Sequence, residues 1–175
     1  MSKLGKSIDH IFGHIEPWWD AADIRILDYV NEPFNDSQTT IKWQKIGFQN
    51  KVFTGEMYNM TNDEPWWIQP FRDHFICDHF GWTVYKMQPG RVLPRHGDLF
   101  KTYINKFKIK NKNNIFRAVV FLEDWKSGHY LEVNDEPMVK WKAGDYALWR
   151  FNTPHLAVNC GFEDRYTLQI TGVER

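Results

Sequence analysis

A surplus of charge is the first thing missing: Lys plus Arg equals Asp plus Glu at 22 each, for a net charge of zero. No global field draws such a chain to nucleic acid or to an anionic membrane, so general binding of either is not expected. Cysteine is scarce. Cys77 and Cys160 are too few for a disulfide framework and lack the paired spacing of a zinc site, which makes a reducing compartment the simpler assumption. No apolar run approaches the roughly 20 residues that span a bilayer, and the opening MSKLGKSIDHIFGHIEPWWD has no stretch long enough for a signal peptide. A cytoplasmic protein with no membrane partner is the expectation. Internal repeats are missing too, and the one shift in composition is the Lys/Asn-rich stretch 101–114, KTYINKFKIKNKNN. It is expected to be a loop or strand edge with a solvated basic surface; a lid or a clamp for an anionic substrate is the competing reading.

What the chain does have is aromatic residues, 17% of the total with nine Trp, beside an ordinary 25% of charged residues. That excludes a disordered chain. At 175 residues the expectation is one domain, 1–175, with 1–80 as a helical and extended support and 81–175 as the core. In the first part, Asp63-Glu64-Pro65 reads as a helix start, with Trp66, Trp67, Phe71 and Phe75 following at helical spacing, while 42–48 and 51–58 read as a pair of extended segments. From Gly81 onward short β-rich runs follow at 82–87, 91–96, 116–122, 130–133, 138–141, 146–151, 155–158 and 165–171. Pro89-Gly90, Ala143-Gly144-Asp145 and Asn159-Cys160-Gly161 are among the turns between them, a spacing that leaves no room for the helices of a parallel α/β fold. The fold class expected is mainly β with flanking helices: a double-stranded β-helix, that is, a cupin-like jelly roll.

The last run puts Tyr166, Leu168 and Ile170 on one face and Arg165, Thr167, Gln169 and Thr171 on the other. A polar inner face suggests a pocket, although a face that meets water has the same pattern. His96-Gly97-Asp98 then offers an imidazole and a carboxylate two residues apart on one side of a strand, where both can reach one ion. His14-Ile15-Glu16 has the same form, but it sits where no strand pattern is seen and has no later partner, so His14 is read as a surface or packing residue. His155 follows His96 by 59 residues, a separation over which a jelly roll can bring a late strand beside an early one. Two imidazoles and one carboxylate on one face of an octahedral ion leave three positions free, the arrangement used by non-haem Fe(II) oxygenases. Ten residues further on, Arg165 presents a guanidinium fork and Thr167 a hydroxyl on the same face, which suits the distal carboxylate of 2-oxoglutarate. Taken singly, His155 also fits a core histidine and Arg165 a structural salt bridge or an exterior position. The order of the four residues is what favours a site.

That order resembles the 2-oxoglutarate/Fe(II)-dependent oxygenase superfamily, whose pattern is H-x-D, a distal His and an Arg or Lys about ten residues later. Gly144 to Trp149, Thr153 to Asn159 and Arg165 to Leu168 are similar to the C-terminal half of aspartyl/asparaginyl β-hydroxylase-like and prolyl-hydroxylase-like members, and Phe116 to Leu122 is similar to their central strands. The resemblance covers roughly 82–171 and leaves the first 80 residues unmatched. It implies that His96, Asp98 and His155 ligate iron, that Arg165 anchors the distal carboxylate of the co-substrate, and that Arg117 is a second candidate for the same co-substrate. Tyr85 and Tyr103 are further candidates to add hydroxyls to the pocket, with packing as the alternative for each. The aspartyl β-hydroxylase branch lacks the metal carboxylate, whereas this chain keeps Asp98, so that branch's substrate does not carry over. The implied reaction consumes O₂ and 2-oxoglutarate and hydroxylates a C–H bond, with release of succinate and CO₂. A cupin-like metal or small-molecule binding protein without oxygenase activity is the alternative, since the same fold hosts pure binders. A peptide or protein side chain is the expected substrate, with a small molecule as the competing class. In this reading the N-terminal half and the stretch 101–114 wall an open groove, and the Trp18-Trp19 and Trp66-Trp67 pairs offer contact surface.

Overall fold

The computed structural model describes residues 10–34 and 36–175. The start of the expected N-terminal support, residues 1–9, lies outside them. In chain order the elements are β1 (His10–His14), α1 (Ala21–Arg25), β2 (Val30–Pro33), α2 (Ser37–Lys45), β3 (Thr54–Asn59), α3 (Gln69–His74), β4 (Asp78–Met87), β5 (Arg91–His96), α4 (Lys101–Phe107), β6 (Ile115–Phe121), β7 (His129–Val133), β8 (Glu136–Met138), β9 (Asp145–Arg150), β10 (His155–Asn159) and β11 (Arg165–Val173). Seven strands form one sheet in the order β1-β9-β6-β11-β4-β3-β2, and four form a second in the order β5-β10-β7-β8. Neighbouring strands in both sheets run antiparallel. This is the double-stranded β-helix expected from the strand spacing.

The large sheet is buried on both faces, and the period of two sorts its side chains between two cores. On its outer face Val84, Ala118, Val120, Leu148, Leu168 and Ile170 pack against Trp67, Ile68, Phe71 and Phe75. The last four come from α3, the short 3-10 turn before it and the capping residue after it, the region expected to be helical after Pro65. On the inner face Tyr85, Met87, Val119, Phe121, Ala147 and Trp149 meet Leu131, Val133 and Ala157 of the small sheet. Each fully buried aliphatic or aromatic side chain contributes about 1.5–3 kcal/mol relative to exposure.

Several local expectations change. Residues 42–48 were expected to be extended, but Ser37–Lys45 is a helix, because Trp43 is driven into a nest of Phe34, Phe53 and His96 rings that a helix can present it to. Residues 51–58 form a 3-10 turn and then β3, which pairs with β2 and β4. His14 does lie in a strand, at the edge of the large sheet, where it is partly exposed and bonds Asp145. The run 138–141 is a strand only to Met138: Lys140 takes a positive φ of 56°, and the chain turns so that Trp141 stacks on Phe121 at 3.7 Å. The stretch 101–114 is neither loop nor strand edge at its start but helix α4, in which Tyr103 and Phe107 meet ring to ring at 5.0 Å across one turn.

The tryptophan pairs do not wall a groove. Trp19 and Trp67 are buried in the outer core, and Trp18 packs on Phe71 at 4.5 Å and donates its indole N–H to the Trp67 carbonyl. Trp66 is 64% exposed but donates to Asp23, and none of the four lines the cavity between the sheets. No helix among the described residues is long and apolar enough to cross a membrane.

Candidate metal centre

β5 and β10 are antiparallel neighbours in the small sheet, and His96 lies directly opposite His155 in their register. The 59 residues between them in sequence are thereby folded into one cross-strand pair whose ring centroids are 4.3 Å apart. A bulge sits beside the pair, with Leu93 opposite Ala157, so that Pro94 and Arg95 fill the longer side. Bulges re-aim neighbouring side chains. Here the Pro94 carbonyl is 2.7 Å from His96 Nδ1, and the Thr153 carbonyl is 2.9 Å from His155 Nδ1. A carbonyl can only accept, so each Nδ1 carries the proton and each Nε2 is left with its lone pair free for a metal.

Both Nε2 atoms face Asp98: His96 Nε2 is 3.9 Å from Oδ1, and His155 Nε2 is 3.9 Å from Oδ2. The candidate donor atoms of His96, Asp98 and His155 all lie within 4.8 Å of one another, and this cluster can hold a metal ion. Gly97 is needed between the first two. A Cβ there would stand 2.9 Å from the backbone oxygen of Asn152, in the turn that joins β9 to β10. The same turn is tied to the H-G-D segment by the Asn152 N–H, which donates to the Asp98 carbonyl at 3.3 Å.

The electrostatics suit metal binding at neutral pH. Burial, with the neighbouring His96 ring, pulls His155 down to about 4, and burial also lowers His96, so both imidazoles are neutral as ligands must be. Burial pushes the Asp98 carboxyl up, but Arg117 and the two imidazoles outweigh it and hold it below the usual carboxylate range. Arg117 Nε donates to Asp98 Oδ2 at 3.2 Å, its NH1 donates to Gln169 Oε1 at 3.1 Å, and its guanidinium lies 5.1 Å over the Phe100 ring. Arg117 thus buttresses the carboxylate while also lining the cavity.

These residues border a cavity of about 540 Å³ between the two sheets, which is also lined by Tyr85, Tyr103, Arg165, Thr167, Gln169 and Thr171. The polar face of β11 therefore meets this cavity. Arg165 is 5% exposed; its NH1 donates to the carbonyls of Tyr130 (2.9 Å) and Val158 (3.4 Å), and its Nε has no partner. No carboxylate pairs with it among the described ion pairs. Burial lowers its guanidinium to about 10, still cationic at neutral pH, and burial pushes the adjacent Tyr85 phenol up to about 12, so that it stays neutral. Tyr103 lines the cavity, and its hydroxyl donates to the His79 carbonyl at 2.5 Å. Trp149 was not singled out from sequence. It is 2% exposed, lines the cavity and packs on the His155 ring at 4.6 Å.

No protein-family model matches the chain, and no curated protein matches it in sequence. Solved structures do. The chain is similar to a prolyl-4-hydroxylase from Pseudomonas putida at 13% identity and a TM-score of 0.55, covering 88% of this chain and 96% of that one. A predicted oxalate decarboxylase from Thermotoga maritima (14% identity, TM-score 0.47, 83% and 94% covered) and KdgF from Halomonas sp. (13%, 0.42, 69% and 80%) are more distant. At such identities the likeness is one of fold: a mainly antiparallel, cupin-like jelly roll, carrying between its sheets a cluster of two histidines and an aspartate that can hold a metal.

Proposed function

We propose that the chain is a 2-oxoglutarate- and Fe(II)-dependent dioxygenase that hydroxylates a C–H bond of a peptide, a protein side chain or a small molecule. The observation that carries this reading is one cavity that holds both a His/Asp/His donor set and a buried guanidinium without a carboxylate partner. The donor set fits Fe(II): two neutral imidazoles with bonded Nδ1 atoms and one carboxylate, leaving positions open for other ligands. When bound, the metal and co-substrate would supply activation of O₂ coupled to decarboxylation of 2-oxoglutarate to succinate and CO₂.

In this reading His96, Asp98 and His155 hold the ion on one side, and Arg117 keeps Asp98 ionised and oriented. Arg165 and Thr167 bind the distal carboxylate of 2-oxoglutarate. The reach is suitable: Arg165 touches the Val158 carbonyl, three residues along β10 from His155, or about 10 Å of strand. Between the two ends Leu93, Val119, Leu131 and Ala157 form an apolar wall that excludes water from the reacting centre. The chain works as one oxygenase domain, with the described residues before 81 buttressing 81–175. The test is succinate formation by the purified protein given Fe(II), O₂ and 2-oxoglutarate, against the His155→Ala variant. Turnover in the parent alone supports the reading. A parent that binds metal but neither binds nor consumes 2-oxoglutarate is instead a cupin-like binding protein.

A further inference from the structure

Five buried side-chain nitrogens lack a hydrogen-bond partner among the described residues: His10 Nδ1, Arg91 Nε, His129 Nδ1, Trp149 Nε1 and Arg165 Nε. Only Trp149 and Arg165 of these line the cavity. Both atoms are N–H donors with no accepting capacity, so what completes them must bring acceptor atoms. Buried donors in folded proteins are almost always satisfied, and an exception inside a cavity points to the ligand that satisfies it. Arg165 already has an assigned partner in the proposed function. The indole N–H of Trp149 has none.

Its place in the sheet says which part of a ligand it meets. Trp149 lies on β9 opposite His10 of β1 and Arg117 of β6, so its side chain shares a sheet face with the guanidinium that holds Asp98. The indole also packs against His155, with ring centroids 4.6 Å apart and planes inclined at 41°. It therefore stands against one candidate metal ligand, His155, and on the same sheet face as the guanidinium that holds another, Asp98, whereas Arg165 touches carbonyls further along the small sheet.

We infer that the Trp149 indole N–H donates a hydrogen bond to the metal-end carboxylate of a bound 2-oxo acid, making Trp149 a second binding residue for the co-substrate. The inference rests on the proposed function and extends it to the opposite end of the ligand from Arg165. A carboxylate that chelates a metal through one oxygen keeps a second, charged oxygen in need of a donor, and an indole N–H fixed by packing supplies it with little loss of freedom. Nothing covalent changes at Trp149.

The test uses protein labelled with ¹⁵N at tryptophan and loaded with diamagnetic Zn(II), whose indole N–H signals are recorded before and after addition of 2-oxoglutarate. The Trp149 signal is identified by its loss in Trp149→Phe, or by through-bond assignment should that variant not fold. On addition of 2-oxoglutarate it is expected to move downfield and exchange more slowly with water, while indoles outside the cavity stay in place. Trp149→Phe keeps the ring and loses the donor, so calorimetry should show 2-oxoglutarate binding weakened about tenfold with Zn(II) affinity unchanged. If 2-oxoglutarate binds the parent but the Trp149 signal stays where it was, the inference is wrong and the proposed function stands. If 2-oxoglutarate does not bind the Zn(II)-loaded parent at all, both fall.

Discussion

Gly97 shows how narrowly single residues are placed at this site. Its missing Cβ lets the β9–β10 turn approach the H-G-D segment, and an added methyl would press on the Asn152 backbone oxygen, which cannot swing aside as a side chain can. Gly97→Ala should therefore destabilise by about 1–3 kcal/mol and weaken metal affinity at least tenfold although no ligand is touched, measured by urea unfolding and metal titration. Arg165→Ala removes the buried cation at the other end of the cavity. Losing a charge-assisted pair costs about 2–5 kcal/mol, so 2-oxoglutarate should bind at least tenfold more weakly while metal affinity holds, as read by calorimetry. His96, Asp98, His155 and Arg165 were legible in sequence because ligand chemistry and strand alternation are both local properties. Trp149 was not, since a buried indole reads as core; its N–H stands out only once its neighbours in space are known to offer no acceptor. The hydroxyl partner of Tyr103, the His79 carbonyl, was hidden for the same reason, since it lies 24 residues away.

Elements were legible where one local signal decided them. The strands after Gly81 alternate and are separated by turn residues, and they fold much as the pattern says. Helix α2 is decided instead by tertiary contact: Trp43 is its one buried side chain, and it packs within 5.2 Å of Phe34, Phe53 and His96 by ring centroid. Trp43→Ala should lower stability by about 3–5 kcal/mol and loosen His96, which would show as weaker metal binding in the folded variant. Helix α4 ends on Lys108 at a φ of 54°, a left-handed position that an L side chain enters at a cost of about 1–2 kcal/mol. Lys108→Gly should raise stability by about 1 kcal/mol in urea unfolding, because the backbone bond from this residue to the Ile104 carbonyl is retained. Strand β1 escaped detection since it is a five-residue edge strand held by its pairing with β9 rather than by a pattern of its own.

At the scale of the whole molecule the large sheet carries two jobs on its two faces. Its outer side is covered by α3 and the buried tryptophans, and its inner side faces the cavity and the small sheet. The candidate ligands come from β5, β10 and the segment after β5, so an ion would tie together chain segments far apart in sequence. Binding should therefore stabilise the native state as a unit. At a free metal concentration 100 times Kd the gain is about 2.7 kcal/mol, and Tm should rise by about 5–10 °C in the parent but not in His155→Ala. The most direct test of the central claim is an anaerobic titration of the Fe(II)-loaded protein with 2-oxoglutarate, followed by visible absorbance. A 2-oxo acid chelated to Fe(II) gives a charge-transfer band, and the expected result is such a band that saturates at one equivalent, is lost in His155→Ala and needs more ligand in Arg165→Ala. Tightly bound Fe(II) with no new band at saturating 2-oxoglutarate would contradict the account.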